Sequence, residues 1–204
     1  MRKIWKRILL CACIPAMLWT YRLFSDRHQL RQELIRFHVV ANSDAPGDQA
    51  VKLKVRDAVL ESIREDLQQI ADVDAARAYL QENLPKIRQI ADETLRSAGF
   101  SEQTVVTLCE EAFDTRIYDT FALPSGIYES LRIVIGDGRG RNWWCVSFPS
   151  LCLPATAGEF ADAAVGAGFS EELTKTLADR ETYEIRFFLL DALGRLENIL
   201  SAGK

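Results

Sequence analysis

Histidine is almost missing from this 204-residue chain; His28 and His38 are its two examples. Zinc sites draw on histidines and cysteines clustered at short fixed spacings, and Cys145 and Cys152 are spaced Cys-x6-Cys, which is not one of them. No metal is expected. Long apolar stretches are lacking as well: residues 8–19 form an apolar run of twelve with Pro15 inside it, short of the roughly 20 that a membrane-spanning helix needs. Basic residues are outnumbered once the N-terminus is set aside. Residues 1–24 hold Arg2, Lys3, Lys6, Arg7 and Arg22 and no acid, so of the total charge of −4 the rest of the chain carries −9. An acidic body excludes nucleic acid as an expected partner. The glycines at 136, 138 and 140 read GDGRG, which is neither G-x-G-x-x-G nor a P-loop. A strand follows them, so no helix N-terminus is offered to a phosphate, and no cofactor is expected.

What the N-terminus does contain is a basic cluster followed by a short apolar run. That is the pattern of a secretion signal, with the basic end held in the cytoplasm while the acidic body crosses. Residues 1–24 are therefore expected to be a secretion signal or a short membrane anchor; no clear A-x-A site follows the run, and Tyr21, Leu23 and Phe24 prolong its apolar character. Export places Cys109, Cys145 and Cys152 where disulfides persist. Three is odd, so one thiol is left over.

Residues 25–33 are polar and read as a linker to a single domain at 34–200. Ile35, Phe37, Val39 and Val40 predict a strand, ended by the turn-forming residues 42–47. Val51, Val55, Val59, Ile63, Leu67 and Ile70 recur at close to helical spacing and predict a helix from Asp48. In this reading Ser43, Asp44 or Asp48 caps it, and Lys52, Lys54 and Arg56 are solvated. A second helical region covers 73–98, with Pro85 restarting it and Gly99 ending it. Further strands are expected around Cys109 and at 128–135 and 143–148, the last two joined through the glycine-rich loop as a hairpin. Residues 155–168 read as a surface excursion. The C-terminal stretch from Tyr183 starts with strand-like alternation and ends as an amphipathic helix. The fold class is α+β: a small, mainly antiparallel sheet covered by helices.

The chemistry-bearing residues crowd into GRNWWCVSFPSLC, residues 140–152. Cys145 with His38 and an orienting acid or amide is the arrangement of an exported cysteine-dependent hydrolase acting on peptidoglycan or peptide. Against it, no helix N-terminus follows Cys145 to depress the thiol pKa. A disulfide between Cys145 and Cys152 needs less, since Pro149 can turn the chain and bring the two within bridging range. Cys109 is then the spare thiol, read as a small buried hydrophobe. Trp143 and Trp144 point to opposite faces of their strand, one for the core and one for an interface.

Taken together, "RFHVVANSDAPGDQAVKLKVRDAVL" (36–60), "LPSGIYESLRIVIGDGRGRNWWCVSFPSLC" (123–152) and "YEIRFFLLDALGRL" (183–196) resemble the stage II sporulation protein R family. The resemblance rests above all on ANSD-x3-DQ with G-x-NWWC-x3-P-x2-C. It implies a non-enzymatic signalling protein, made in the forespore and exported to the space between forespore and mother-cell membranes. There it triggers a membrane-embedded aspartic protease of the mother cell that processes pro-sigma E; membrane contact is through the N-terminal segment alone. It also implies candidate partner-binding residues: Asn42, Ser43, Asp44, Asp48, Gln49, Arg56 and Asp57 from the first block, and Asn142, Trp143, Trp144, Phe148 and Pro149 from the second. The resemblance does not extend over residues 155–168.

Overall fold

A computed structural model describes residues 2–70, 72–118, 121–148, 157–166, 168–178 and 185–202. In chain order its elements are α1 (Arg2–Gln32), β1 (Ile35–Val40), α2 (Pro46–Gln69), α3 (Val73–Ser97), β2 (Thr104–Phe113), β3 (Arg116–Ile117), β4 (Ala122–Leu123), β5 (Gly126–Ile135), β6 (Asn142–Phe148), α4 (Ala157–Gly166), α5 (Glu171–Ala178) and α6 (Ile185–Ala202).

All six residues of β1 are buried. A strand wetted on one side would alternate; one buried throughout lies inside a sheet with material on both faces. The sheet order is β2-β5-β1-β6. β2 pairs antiparallel with β5 and β6 antiparallel with β1, while β1 and β5 run parallel, with Phe37 opposite Leu131 and Val39 opposite Ile133. The sheet is thus mixed, antiparallel in two of its three pairings and parallel in the central one, and the expected hairpin is absent. β5 and β6 are not neighbours, because β1 lies between them. The loop 136–141 instead crosses the end of β1, a gap of two strand spacings, or about 10 Å.

Alternation along the strands sorts the core into two layers. Ile35, Phe37 and Val39 of β1, Leu131, Ile133 and Ile135 of β5 and Cys145 of β6 face α2 and α3. Those helices answer with Val51, Val55, Val59 and Ile63 at four-residue intervals, and with Ile87, Ala91 and Leu95. α3 runs unbroken through Pro85 instead of restarting there, since the buried residues on both sides hold one axis against the sheet. Asp72 caps its start by accepting from Ala75 N (2.8 Å), and Gly99 ends it at φ +84°.

The opposite layer gathers Leu23 and Leu30 of α1, Phe113, Tyr128, Val146, Phe160 of α4, Leu173 and Leu177 of α5 and Leu190 of α6. Residues 25–33, expected as a linker, continue α1 as far as Gln32 and belong to this layer. Polar side chains hold them there: Arg186 of α6 donates to Asp26 (2.8 Å), and Arg31 donates to Glu197 (2.7 Å). Each fully buried leucine adds about 1.5–3 kcal/mol. Burial raises the Asp26 pKa and outweighs the opposing Arg186 hydrogen bond and charge. N-terminal to Leu23, by contrast, Ile14, Met17, Leu18, Trp19 and Tyr21 are exposed. Among the described residues no helix is long and apolar enough to cross a membrane.

Two further stretches differ from expectation. Within 155–168, residues 157–166 form α4, whose Phe160 and Ala164 are buried. Of the stretch expected to start strand-like at Tyr183, residues 183–184 lie outside the described residues and the rest, from Ile185, is helical, with Phe187 and Leu190 turned to the core. α6 comes closest at Gly194, where a Cβ would overlap the Ser125 carbonyl.

Candidate functional site

The turn after β1 and the loop before β6 are one structure. Asn42 Oδ1 accepts from Asp137 N (2.9 Å) and Asp44 Oδ1 from Arg141 N (2.7 Å), while Arg139 N and Gly140 N donate to the Asn42 and Ala41 carbonyls (3.0 and 2.9 Å). From the helix side, Asp48 Oδ2 accepts from Ser43 Oγ (2.6 Å) and Asn42 Nδ2 (3.1 Å), and Gln49 Nε2 donates to the Ser43 carbonyl (2.9 Å). The two sequence blocks therefore meet in space, and the polar residues of the first clamp the glycine loop of the second. Capping by Ser43, Asp44 or Asp48 is not what the structure shows. The N-cap is Ala45, without a side-chain cap bond, because Pro46 occupies the first helical turn and leaves one amide fewer to satisfy.

Two details make the clamp depend on its sequence. Gly136 and Gly138 have φ +54° and +63°, a region that side chains with a Cβ rarely adopt. Lys52, expected to be solvated, is 5% exposed. Its ammonium donates to Gln49 Oε1 (2.6 Å) and to the Arg141 carbonyl (2.8 Å), so the clamp closes over it. Burial, followed by the Arg141 charge, lowers its pKa, with Asp44 acting in the other direction.

The tryptophans do point to opposite faces, and each carries an arginine. Trp143 meets Phe37 edge-on at 5.8 Å on the α2 side, with the Arg56 guanidinium 4.8 Å from its centroid. Arg56 also pairs with Asp57 (2.6 Å). Trp144 stacks on His38 at 3.8 Å, with Arg116 4.8 Å above it. Each such contact adds about 0.5–2 kcal/mol. Asn142 is exposed at the start of β6. Phe148 is 3% exposed and packs in the α2–α3 layer, so its position is a core position rather than a contact surface. The register shift between Ile35 and Arg36 brings it to the same face as Cys145. Pro149 and Cys152 lie outside the described residues.

Cys145 is buried on the α2–α3 side, opposite Phe37. His38 is buried on the other face, opposite Trp144. The geometry thus does not assemble the thiol–imidazole couple of a cysteine hydrolase. Cys109, expected to be buried, is a half-exposed free thiol on β2.

What the sequence did not reveal is a polar and aromatic network on the His38 side of the sheet. His38 Nδ1 is 3.1 Å from Glu111 Oε2, and Arg132 lies 3.3 Å from Glu111 Oε1. Burial opposes the Glu111 charge, but the His38 hydrogen bond and charge and the Arg132 charge together hold its pKa below the ordinary carboxylate range. Arg36, fully buried, lies 4.0 Å from the Phe113 ring centroid and donates to Tyr118 Oη (2.8 Å). Lower down, Asp191 of α6 ties the turn at Ser125 by accepting from Ser125 N (2.9 Å) and Thr115 Oγ1. The signal that could have found this network was the polar arm of the strand alternation, Arg36 and His38, set between Ile35, Phe37 and Val39.

The sequence model of the family described as Stage II sporulation protein R (spore_II_R) matches residues 31–157. A curated relative named "Stage II sporulation protein R", from Bacillus subtilis (strain 168), is 34% identical over 153 residues, which cover 75% of this chain and 65% of the relative. The chain thus spans just under two thirds of that relative's length. No solved structure matches.

Proposed function

The chain belongs to the stage II sporulation protein R family, and from that membership we propose that it is an exported signalling protein of sporulation. In this reading it is delivered to the space between the forespore and mother-cell membranes. There it binds a membrane-embedded aspartic protease of the mother cell, which then processes pro-sigma E. It acts by binding, without chemistry of its own, and lowers the free energy of the protease's active state by its greater affinity for that state. The observation that carries the reading is the match over residues 31–157, which takes in both clamped blocks. A basic N-terminal cluster before a short apolar run supports export.

The partner surface in this reading is the clamp of Asn42, Ser43, Asp44, Asp48 and Gln49 together with Arg56, Asp57, Asn142 and the two tryptophans. Its half-exposed aromatic and arginine pairs are of the kind that anchor interfaces. A disulfide between Cys145 and Cys152 also belongs to this reading; no disulfide is formed among the described residues, and Cys152 lies outside them. The test is reconstitution: the protein is added to membranes holding the protease and the sigma-factor precursor, and precursor cleavage is followed. Cleavage that rises with dose supports the reading; no response from folded protein overturns it.

A further inference from the structure

The two faces of the sheet are not equally covered. On the α2–α3 face helices lie over all four strands, but on the other face α1 and α4–α6 pack over the end that carries Phe113, Tyr128 and Val146. Toward the other end of that face, Val105 is 57% exposed and Thr107, Cys109, Arg132 and Val134 are exposed or half-exposed. Ile117 of β3, beside Arg116, is 65% exposed. A partly apolar, partly charged surface left open on one half of a sheet covered elsewhere is of the kind that takes a partner.

The charge of this half-face states which partner. Arg36 lies over Phe113 and Arg116 over Trp144, while Arg132 pairs with Glu111, which also holds His38. Arg36 Nε and Nη1, Arg116 Nε, Arg132 Nε and His38 Nε2 are buried and have no hydrogen-bond partner among the described residues. Arg132 has Glu111 and Arg36 has the Tyr118 hydroxyl and the Phe113 ring, whereas Arg116 has no carboxylate partner among the described residues. A guanidinium with part of its hydrogen-bonding capacity buried and unmet gains from an arriving anion. In a body that carries −9 outside residues 1–24, such a local excess of positive charge runs against the whole.

We propose that the open half-face around Arg116, Trp144 and Arg132 is the docking surface for an acidic, apolar-flanked segment of the protease partner. A carboxylate of that segment reaches the Arg116 and Arg132 guanidiniums while its apolar side chains cover Val105 and Ile117. The inference rests on the proposed function; it adds a second contact, on the Trp144 side of the sheet, to that of the clamp, and gives the chemistry of that contact.

The experiment is the same reconstitution, run with Arg116→Glu and, separately, Ile117→Asp, both on the short exposed β3. Lys86→Glu, an equal charge reversal at an exposed position of α3, which packs on the opposite face of the sheet, is the control. At matched folded protein, Arg116→Glu lowers cleavage by about tenfold or more, and added salt weakens the wild type. Ile117→Asp lowers it as well, and Lys86→Glu leaves it unchanged. If the wild type drives cleavage and both β3 variants match it, the surface assignment is overturned while the function stands. If the β3 variants instead change only the sedimentation of the protein alone, the face belongs to a second copy, and the proposal is likewise overturned. A wild type without effect removes the functional reading and this inference with it.

Discussion

Asn42 Oδ1 occupies the place where a Cβ on residue 136 would have to go. The same oxygen accepts from Asp137 N, one residue further on, so the side chain that binds the loop also forbids anything but glycine at its start. Gly136→Ala must both adopt φ near +54° and push Asn42 aside. It is expected to lower stability by about 1–3 kcal/mol, read as a lower urea midpoint at unchanged m-value. Unaltered stability would show that the clamp is not tight.

A second close approach joins α6 to the turn before β5. Gly194→Ala places a methyl group against the Ser125 carbonyl and forces the helix outward. The expected loss is about 1–3 kcal/mol, as for other overpacked sites, and thermal unfolding measures it. Because the site is far from the clamp, combining it with Gly136→Ala should give additive losses.

Asp191 carries a pH dependence. Burial opposes its charge, but the Thr115 hydroxyl, the Ser125 amide and hydroxyl and Arg195 outweigh burial and hold its pKa below the ordinary 3.8. A lowered folded-state pKa gives stability that is present above the unfolded value and lost as pH falls through the folded one. Asp191→Asn should therefore be less stable than the wild type at neutral pH, by about 1–3 kcal/mol, and the gap should narrow on acidification. A constant gap across the titration would show that the charge contributes nothing.

The cysteines are distinguished by alkylating the native, oxidised protein and mapping the modified peptides. Cys109 is expected to react, while Cys145 and Cys152 are recovered joined. A joined pair that includes Cys109 would contradict the assignment.

The sequence was most legible where one periodicity ran long. Val51 to Leu67 announce α2 because a buried helix face repeats for five turns, and Gly99 announces an end because few other residues take its φ. Strand positions were legible too, but their order was not. A glycine-rich loop between β5 and β6 reads locally as a hairpin, and nothing local reports that β1, some ninety residues earlier, lies between them. Lys52 reads as solvated for a similar reason: its burial comes from a loop remote in sequence, whose Arg141 carbonyl accepts from its ammonium. Asn42, Ser43, Asp44, Asp48 and Gln49 stand out as a group in the sequence through the ANSD-x3-DQ motif. The structure adds that they hold a loop, which explains the motif in part without any partner.

The central claim, activation by binding alone, meets its most direct test in the precursor-cleavage assay with two forms of the protein. Cys145→Ser combined with Cys152→Ser should reduce cleavage only as far as it reduces folded protein, so that activity per folded molecule equals the wild type. If Cys145→Ser alone abolishes cleavage in fully folded protein while Cys152→Ser has no effect, the thiol is performing chemistry and the binding account is contradicted.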